Sequence, residues 1–306
     1  ANDRYPNRPK TVVLRHISEG STRVNALLTG EVDIIMGVAP QFIPQIEKNP
    51  MTRIASVPGI RIMFLSFISR HGGPFADPKI RLAVNYAIDA ESIRTTILEG
   101  RGDLSGQLLH PWHYSGYNPD KKWHGFDLEK AKTLMKESSH PDGFKADLFT
   151  TVGRYPGDRA TCEAVAGMLM KIRIDTACKP LNFPLYRKTV TAYQDGKQEG
   201  AAMYFMGWGE GSGDPATAFR SLASCKGSWS GGCFPDLDAA IDKSAAIADP
   251  KEQQLAFEKL TDMLKEKATH KVFVKIHDVF GYRKNLEFIP RDDETLFPWE
   301  LAVKKP

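Results

Sequence analysis

Short apolar runs rich in β-branched residues alternate along this chain with longer segments whose apolar positions recur every three or four residues. The runs predict strands, and the periodic segments predict helices. The first two runs, residues 12–14 and 32–36, flank a predicted helix over residues 21–28, which Ser21 can cap and Gly30 can end. A strand, a helix and a second strand in this order predict a βαβ unit with parallel strands, and therefore an α/β fold.

A longer run over residues 61–69 has apolar side chains on both sides, which is typical of a strand buried on both faces or of one that passes between two lobes. Helices and strands alternate after it. The predicted helices begin near residues 78, 90, 128, 158, 186, 237 and 250, and the predicted strands cover residues 146–151, 174–178, 201–206 and 272–276. We expect a first lobe made of residues 1–60 and 272–306, and a second α/β lobe made of residues 61–271.

Composition is that of a globular protein large enough for two lobes, with 306 residues, 42% hydrophobic and 25% charged. The net charge of +4 comes from scattered basic residues without a basic run, which argues against nucleic-acid binding. No apolar stretch reaches the length of a membrane span. Because the chain opens with Ala1 and not with Met, we expect that upstream residues have been removed.

The four cysteines indicate the compartment. Cys225 and Cys233 enclose a short loop rich in Gly and Ser, and a disulfide between them predicts an oxidising environment; two unrelated buried thiols are the alternative. Cys162 lies early in a predicted helix and Cys178 on the strand that follows. These two pair if the helix and the strand run antiparallel, and are otherwise separate core thiols.

Signatures of catalysis are missing from the sequence, which has no Gly-X-Ser-X-Gly turn, no His-Glu-X-X-His pair and no phosphate-binding loop. His110 and His113 have a metal-like spacing, with His124 nearby, but they lie in a predicted loop without a carboxylate or cysteine at ligand distance. We therefore expect no enzyme activity, no catalytic residue, no metal and no cofactor.

Four segments in a fixed order carry a family resemblance. The segments are ALLTGEVD over residues 26–33, DPKIRLAVNYAID over 77–89, FDLEKAK over 126–132, and GW at 207–208 followed by GDP at 213–215. Together they resemble the dipeptide, oligopeptide and nickel group of extracytoplasmic solute-binding proteins, family 5 of the binding proteins of ABC importers.

The resemblance implies a periplasmic-binding-protein-like fold whose two lobes close on a peptide or a similar small solute. It also implies a periplasmic or otherwise extracytoplasmic monomer that delivers the solute to an ABC permease in the membrane. Family members are longer and begin upstream of Ala1, so the N-terminal lobe is expected to be incomplete. The alternative is a ligand-sensing domain of a regulator with the same fold.

Solute capture needs an aromatic platform and a few placed polar groups. Trp208 follows a predicted strand within a glycine-rich segment, where a solute can approach the backbone. In dipeptide-binding relatives the similar segment supplies an acid for the ligand's amino group. The matching position is Gly211, and the adjacent Glu210 is the candidate substitute. A packed core indole for Trp208 and a solvated carboxylate for Glu210 are the alternatives.

A loop over residues 154–159 leads into a predicted helix and carries the remaining candidates. Arg154 and Arg159 can each bind a solute carboxylate through a bidentate fork, or remain solvated on the surface. Tyr155 can stack on the solute or pin the loop. Asp158 is expected to cap the helix that follows.

Overall fold

The structure is a computed structural model that describes residues 8–209 and 211–304. The strands of these residues are β1 (Ile34–Met36), β2 (Thr52–Phe67), β3 (Gly102–Leu104), β4 (Phe144–Thr151), β5 (Ile174–Leu181), β6 (Ala201–Trp208), β7 (His270–Arg283), β8 (Leu286–Glu287) and β9 (Ala302–Val303). The α-helices are α1 (Gly20–Thr29), α2 (Ile43–Lys48), α3 (Pro78–Ala87), α4 (Ala90–Thr96), α5 (Leu128–Lys136), α6 (Asp158–Met170), α7 (Phe183–Gln194), α8 (Pro215–Ala223), α9 (Pro235–Ala245) and α10 (Pro250–Glu266).

One mixed sheet organises the molecule, with strand order β1-β7-β2-β6-β4-β5 and β3 paired to β7. The strands β6, β4 and β5 are parallel, whereas β1, β2 and β3 pair antiparallel to β7, and β2 pairs antiparallel to β6. The strands β8 and β9 form a separate small hairpin. The predicted α/β class is therefore confirmed.

Helices cover both faces of the central strands, as their uninterrupted apolar sequences require. On β2 the odd-numbered residues Met63 and Leu65 join the core under α3, α4, α5 and α6. The even-numbered Ile62 and Phe64 join the core under α7, α8, α9 and α10. A third cluster forms separately around α1, α2, β1 and the distal half of β7.

Acidic N-caps begin five of these helices. The carboxylates of Asp77, Asp89, Asp127 and Asp249 accept hydrogen bonds from backbone N–H groups in the first turns of α3, α4, α5 and α10, at 2.8 to 3.0 Å. Asp214 does the same for α8, from the N–H of Ala216 at 2.9 Å. These caps satisfy donors that the helices leave unpaired.

Two predictions for the N-terminal region are wrong. Residues 12–14 form no strand, and the side chains of Val13 and Leu14 are each 82% exposed. Without that strand there is no βαβ unit, and β1 pairs antiparallel to β7 and not parallel to a neighbour. A run of β-branched residues favours extended backbone, but a strand also needs a partner edge, which local sequence does not reveal.

All four cysteines form disulfides. Cys162 on α6 joins Cys178 on β5, and Cys225 joins Cys233 across the loop that follows α8. Cys162 and Cys178 were expected to pair if their helix and strand run antiparallel. That condition is met, because α6 and β5 are consecutive and pack side by side in opposite directions. The predicted disulfide between Cys225 and Cys233 is confirmed, and of the two alternatives for Cys162 and Cys178 the structure shows the disulfide.

Candidate functional site

The carboxyl ends of β4 and β6 form the edge where a solute site is expected. The two strands are parallel neighbours, but the connections that leave them pass to opposite faces of the sheet, β4 into α6 and β6 into α8. Such a divergence opens a crevice outside the strand ends, and ligands of open α/β sheets bind there. The candidate residues at positions 154, 155 and 208 all lie at this edge.

Trp208 is the last residue of β6 and lies opposite Ile62 of β2. Its indole is partly buried against the core beneath α7 and α8, and its buried Nε1 has no hydrogen-bond partner among the described residues. The backbone beyond it is open, since a side chain added at Gly211 would meet nothing within 4 Å. Glu210 lies outside the described residues.

Tyr155 is buried, with 4% of its surface exposed, and it belongs to the core on the opposite face from Trp208. Its hydroxyl donates a hydrogen bond of 3.1 Å to the carbonyl of Gly207. Gly207 has no room for a side chain, because a Cβ would lie 2.5 Å from Met63 Sδ and 2.9 Å from Tyr155 Cε1. Tyr155 therefore pins the loop after β4 to the end of β6.

Arg154 is exposed at the same edge. Its guanidinium carbon lies 4.1 Å from the centre of the Phe183 ring, and its Nε donates to the Tyr155 hydroxyl at 3.1 Å. Neither Nη group makes a hydrogen bond to another described residue, so both can face a carboxylate. Stacking on Phe183 therefore fixes the guanidinium while both Nη groups stay available. This arrangement suits bidentate binding of a carboxylate.

Asp158 organises the loop that carries these groups. Its buried carboxylate accepts hydrogen bonds from Thr151 Oγ1 at 3.0 Å and from the backbone N–H groups of Arg154 and Arg159 at 3.1 and 2.9 Å. Burial raises the pKa of this carboxyl, and the hydrogen bonds oppose the rise. Asp158 is the first residue of α6 and not its N-cap, which is Gly157 in the left-handed region at φ 68°.

Among the described candidates, only Arg159 has a side chain that lies apart from those of the others, Arg154, Tyr155 and Trp208. It lies on the exposed side of α6, where its Nε donates to Glu163 at 2.9 Å, one turn further along. The spacing of four residues on a helix explains the pairing. The structure therefore places Arg159 in a surface ion pair.

Arg61 is a residue of this edge that the sequence reasoning missed. Its Nη1 donates to the Gly207 carbonyl at 3.1 Å, its guanidinium lies 5.8 Å from the centre of the Tyr155 ring, and its Nη2 pairs with Glu294. Burial is the largest single effect and lowers the pKa of Arg61, but the charge and hydrogen bond of Glu294, together with the charges of Tyr155 and Asp278, outweigh it, so the net shift is upward. The signal was an arginine directly before the apolar run over residues 62–65.

Asp278 on β7 lies close to this group. A Cβ on Gly59 would lie 2.6 Å from its Oδ2, and that buried oxygen has no hydrogen-bond partner among the described residues. Burial, followed by the negative charge of Glu294, raises the pKa of Asp278 from 3.8 to about 7, and Arg61 opposes the rise. The folded chain therefore favours the protonated carboxyl.

Replacing Asp278 by asparagine should change the pH dependence of stability. Because the folded pKa is above the unfolded one, the folded state binds more protons between about pH 4 and pH 7, and stability falls as the pH rises through that window. We expect Asp278→Asn to be more stable than the unmodified chain by about 2 kcal/mol at pH 8, half of what the full shift represents, and about equal at pH 4. Urea unfolding at both pH values measures this.

The matched control for that experiment is Asp175→Asn, at an exposed position on β5. It should follow the unmodified chain at both pH values. Equal stability of the Asp278→Asn chain and the unmodified chain at pH 8 would show that folding does not raise the pKa of Asp278.

The family described as "Bacterial extracellular solute-binding proteins, family 5 Middle" matches residues 1–230, about three-quarters of the chain. The chain belongs to this family. The expected resemblance is confirmed, and with it the extracytoplasmic location of a family 5 binding protein.

Curated relatives of this family 5 protein are binding proteins. The dipeptide-binding protein of Escherichia coli (strain K12) is 26% identical over 247 residues, covering 78% of this chain and 45% of the relative. The glutathione-binding protein GsiB of Shigella flexneri serotype 5b is 22% identical over 309 residues, covering 97% of this chain and 59% of the relative. The chain spans about half the length of the curated relatives it matches.

Solved structures similar to this family 5 protein establish the fold. The periplasmic binding protein DppA from Helicobacter pylori, in complex with the peptide STSA, superposes with a TM-score of 0.80 at 25% identity over 95% of this chain and 56% of that one. The dipeptide-binding protein from Pseudoalteromonas sp. SM9913, in complex with Met-Leu, gives 0.85 at 19% identity over 98% and 60%. The periplasmic-binding-protein-like fold is therefore confirmed, with one lobe incomplete relative to these proteins.

Across residues 8–209 and 211–304, no group of three or more His, Cys, Asp and Glu side chains could hold a metal ion. Across the same residues, no helix of this family 5 protein is both long and apolar enough to cross a membrane.

Proposed function

We propose that this chain is the solute-capturing part of a binding protein of a peptide-type ABC importer, and that it holds its solute at the carboxyl edge of β4 and β6. The observation that carries the proposal is the open guanidinium fork of Arg154, which is linked through the Tyr155 hydroxyl to the Gly207 carbonyl just before Trp208. Delivery to a membrane permease and a monomeric state are part of the proposal, because the family and its relatives work in this way.

The proposed solute is a peptide or a related small molecule with a carboxylate. Arg154 supplies two parallel donors for that carboxylate, and stacking on Phe183 fixes their direction. The position that would match an acid in dipeptide-binding relatives is Gly211, so a free amino group would need Glu210 or another acid. Trp208 offers an apolar surface beside this open backbone.

The division into two lobes is also part of the proposal. The expected boundaries at Arg61 and residue 272 fall inside β2 and β7, the two long strands that would join the lobes. Their pairing register shifts between Pro58 and Ile62, and the cluster around α1 and α2 is separate from the two central cores. We place the hinge at this irregular stretch, where lost ladder bonds ease bending.

The same groups favour solute binding over catalysis. A guanidinium, an indole and open backbone can bind and orient a solute, but they transfer no atoms to or from it. A ligand-sensing domain of a regulator would use the same clamp, and is the alternative. A DNA-binding helix-turn-helix in the sequence upstream of Ala1, in place of a secretion signal, would favour the regulator.

A titration with the dipeptide Met-Leu and its C-terminal amide tests the carboxylate site. We expect the amide to bind at least about tenfold more weakly, because it loses the charge-assisted pair with Arg154. Arg154→Gln should weaken binding of the free dipeptide by a similar factor, and should bind the amide no more weakly than the unmodified chain does. Isothermal titration calorimetry measures all four combinations.

The control for this experiment is Arg159→Gln, which removes a nearby arginine in the first turn of α6, where it makes only a surface ion pair. It should bind the free dipeptide as the unmodified chain does. Equal affinity of the unmodified chain for the acid and the amide, or no heat with either, would contradict a peptide carboxylate at Arg154.

A further inference from the structure

We propose that Arg61 is a positioning residue of the solute site, and that its pair with Glu294 couples the C-terminal segment of the chain to the strand end that carries Trp208. This inference rests on the proposed function, since it concerns the same edge of the sheet. It adds two residues, distant in sequence from each other and from the site, that set the geometry of the site without touching the solute.

The contact that carries the coupling is the carbonyl of Gly207. It accepts one hydrogen bond from Arg61 Nη1 and one from the Tyr155 hydroxyl, each at 3.1 Å. Since the next residue is Trp208, these two donors fix the peptide unit from which the indole and the glycine-rich segment extend. Both lone pairs of the oxygen are used, so the unit has little freedom to rotate.

Close packing holds Arg61 against the same peptide units. A Cβ on Gly209 would lie 2.9 Å from Arg61 Cγ and 3.1 Å from Ile60 Cγ1, so a side chain at Gly209 would displace the arginine. The glycines on both sides of Trp208 therefore allow β6 to approach a neighbouring side chain, Tyr155 at Gly207 and Arg61 at Gly209.

The other half of the pair comes from the C-terminal segment. Glu294 lies between β8 and β9 and has a backbone φ of 58°, in the left-handed region that disfavours residues other than glycine. Such a conformation persists where surrounding contacts require it, and it marks functional positions. The contact present here is the ion pair with Arg61, in which the two side chains are 21% and 20% exposed.

Other charged groups near the Arg61–Glu294 pair indicate where the guanidinium would move if the pair were lost. Asp278 also interacts with Arg61, and it lies close to Glu294 and Asp292. Without Glu294, the guanidinium would turn towards Asp278, because a largely buried charge needs a partner. That movement would withdraw Nη1 from the Gly207 carbonyl and release the peptide unit next to Trp208.

The experiment labels the chain with 5-fluorotryptophan and follows the fluorine signal of Trp208, assigned through Trp208→Phe. We expect Glu294→Gln and Arg61→Lys to move this signal by more than its linewidth, while the signals of Trp112, Trp123 and Trp229, which lie outside the C-terminal segment, stay in place. In the same variants, amide exchange of the peptide over residues 207–214 should be at least about fivefold faster. Exchange over residues 144–151 should not change.

The control variant is Glu163→Gln, which breaks the surface pair with Arg159 and should leave both readouts unchanged. A Trp208 signal in Glu294→Gln that coincides with that of the unmodified chain would overturn the coupling. If Arg61→Lys does not fold, Glu294→Gln decides alone. Neither readout needs a solute, so the coupling and the proposed function can fail separately.

Discussion

A chain in which Cys162 and Cys178 are both replaced by alanine should lose about 3 kcal/mol of unfolding free energy, because the bridge closes a loop of sequence separation 16. Replacing Cys225 and Cys233 together should cost slightly less, about 2.6 kcal/mol, because that loop has a separation of 8. The loss on replacing Cys162 and Cys178 should be larger than loop length alone gives, because Cys162 is fully buried and its removal also affects packing. Urea unfolding without reductant measures both losses.

A reducing agent provides the internal control for these disulfides. It should lower the stability of the unmodified chain towards that of the chain lacking all four cysteines, which the reagent should not affect. Cys233 is exposed, so the second bridge should be reduced first under native conditions. Unchanged unfolding of the unmodified chain in reductant would contradict the two disulfides and the oxidising compartment that they indicate.

Trp208→Ala should weaken Met-Leu binding about thirtyfold and lower the unfolding free energy by about 2 kcal/mol, because the indole is both a proposed solute surface and part of a core. Trp208→Phe separates the two roles, since it keeps most of the packing and removes the Nε1–H group. We expect it to retain stability to within about 1 kcal/mol and to bind more tightly than the alanine variant. Calorimetric titration and urea unfolding measure the two effects.

Trp299→Ala is the matched control for the indole. Trp299 is 47% exposed in the C-terminal segment and stacks on Phe297, with ring centres 4.7 Å apart. Its loss should leave Met-Leu affinity unchanged. Binding to the Trp208→Ala chain that equals binding to the Trp299→Ala chain would remove Trp208 from the solute site and leave it only a packing role.

The sequence was sufficient where the deciding interactions are local. Asp77 and Asp89, each at the start of a periodic apolar segment, predicted the beginnings of α3 and α4, because a cap and its helix lie within one turn. The sequence misled for residues 12–14 and for β1. Pairing of β1 is decided by β7, which lies at the other end of the chain, and no local pattern encodes that partner.

The site shows the same limit. The position of Trp208 at a strand end followed from the apolar run before it, and the loop with Arg154 and Tyr155 followed from its glycine and proline. The sequence did not reveal that Tyr155 is buried against Gly207, or that Arg61 forms an ion pair with Glu294, which is distant in sequence. Those contacts depend on β2, β6 and the loop after β4 meeting, which only the fold determines.

The proposed binding edge and the proposed hinge share residues. Arg61 belongs to the irregular stretch of β2 where we place the hinge, and it contacts the carbonyl next to the proposed platform. Arg23 makes a comparable link from α1, donating to the carbonyl of Gly153 at 3.1 Å, just before Arg154. Movement of the first-lobe segments would therefore reach both loops of the solute edge.

Native mass spectrometry of the chain isolated from the cells that produce it tests most directly whether this edge holds a solute. The account predicts that the unmodified chain carries a small molecule that leaves on collisional activation, and that the chain with both Arg154→Gln and Trp208→Ala carries none. Retention of the same molecule to the same extent by the doubly substituted chain would contradict a site at the ends of β4 and β6.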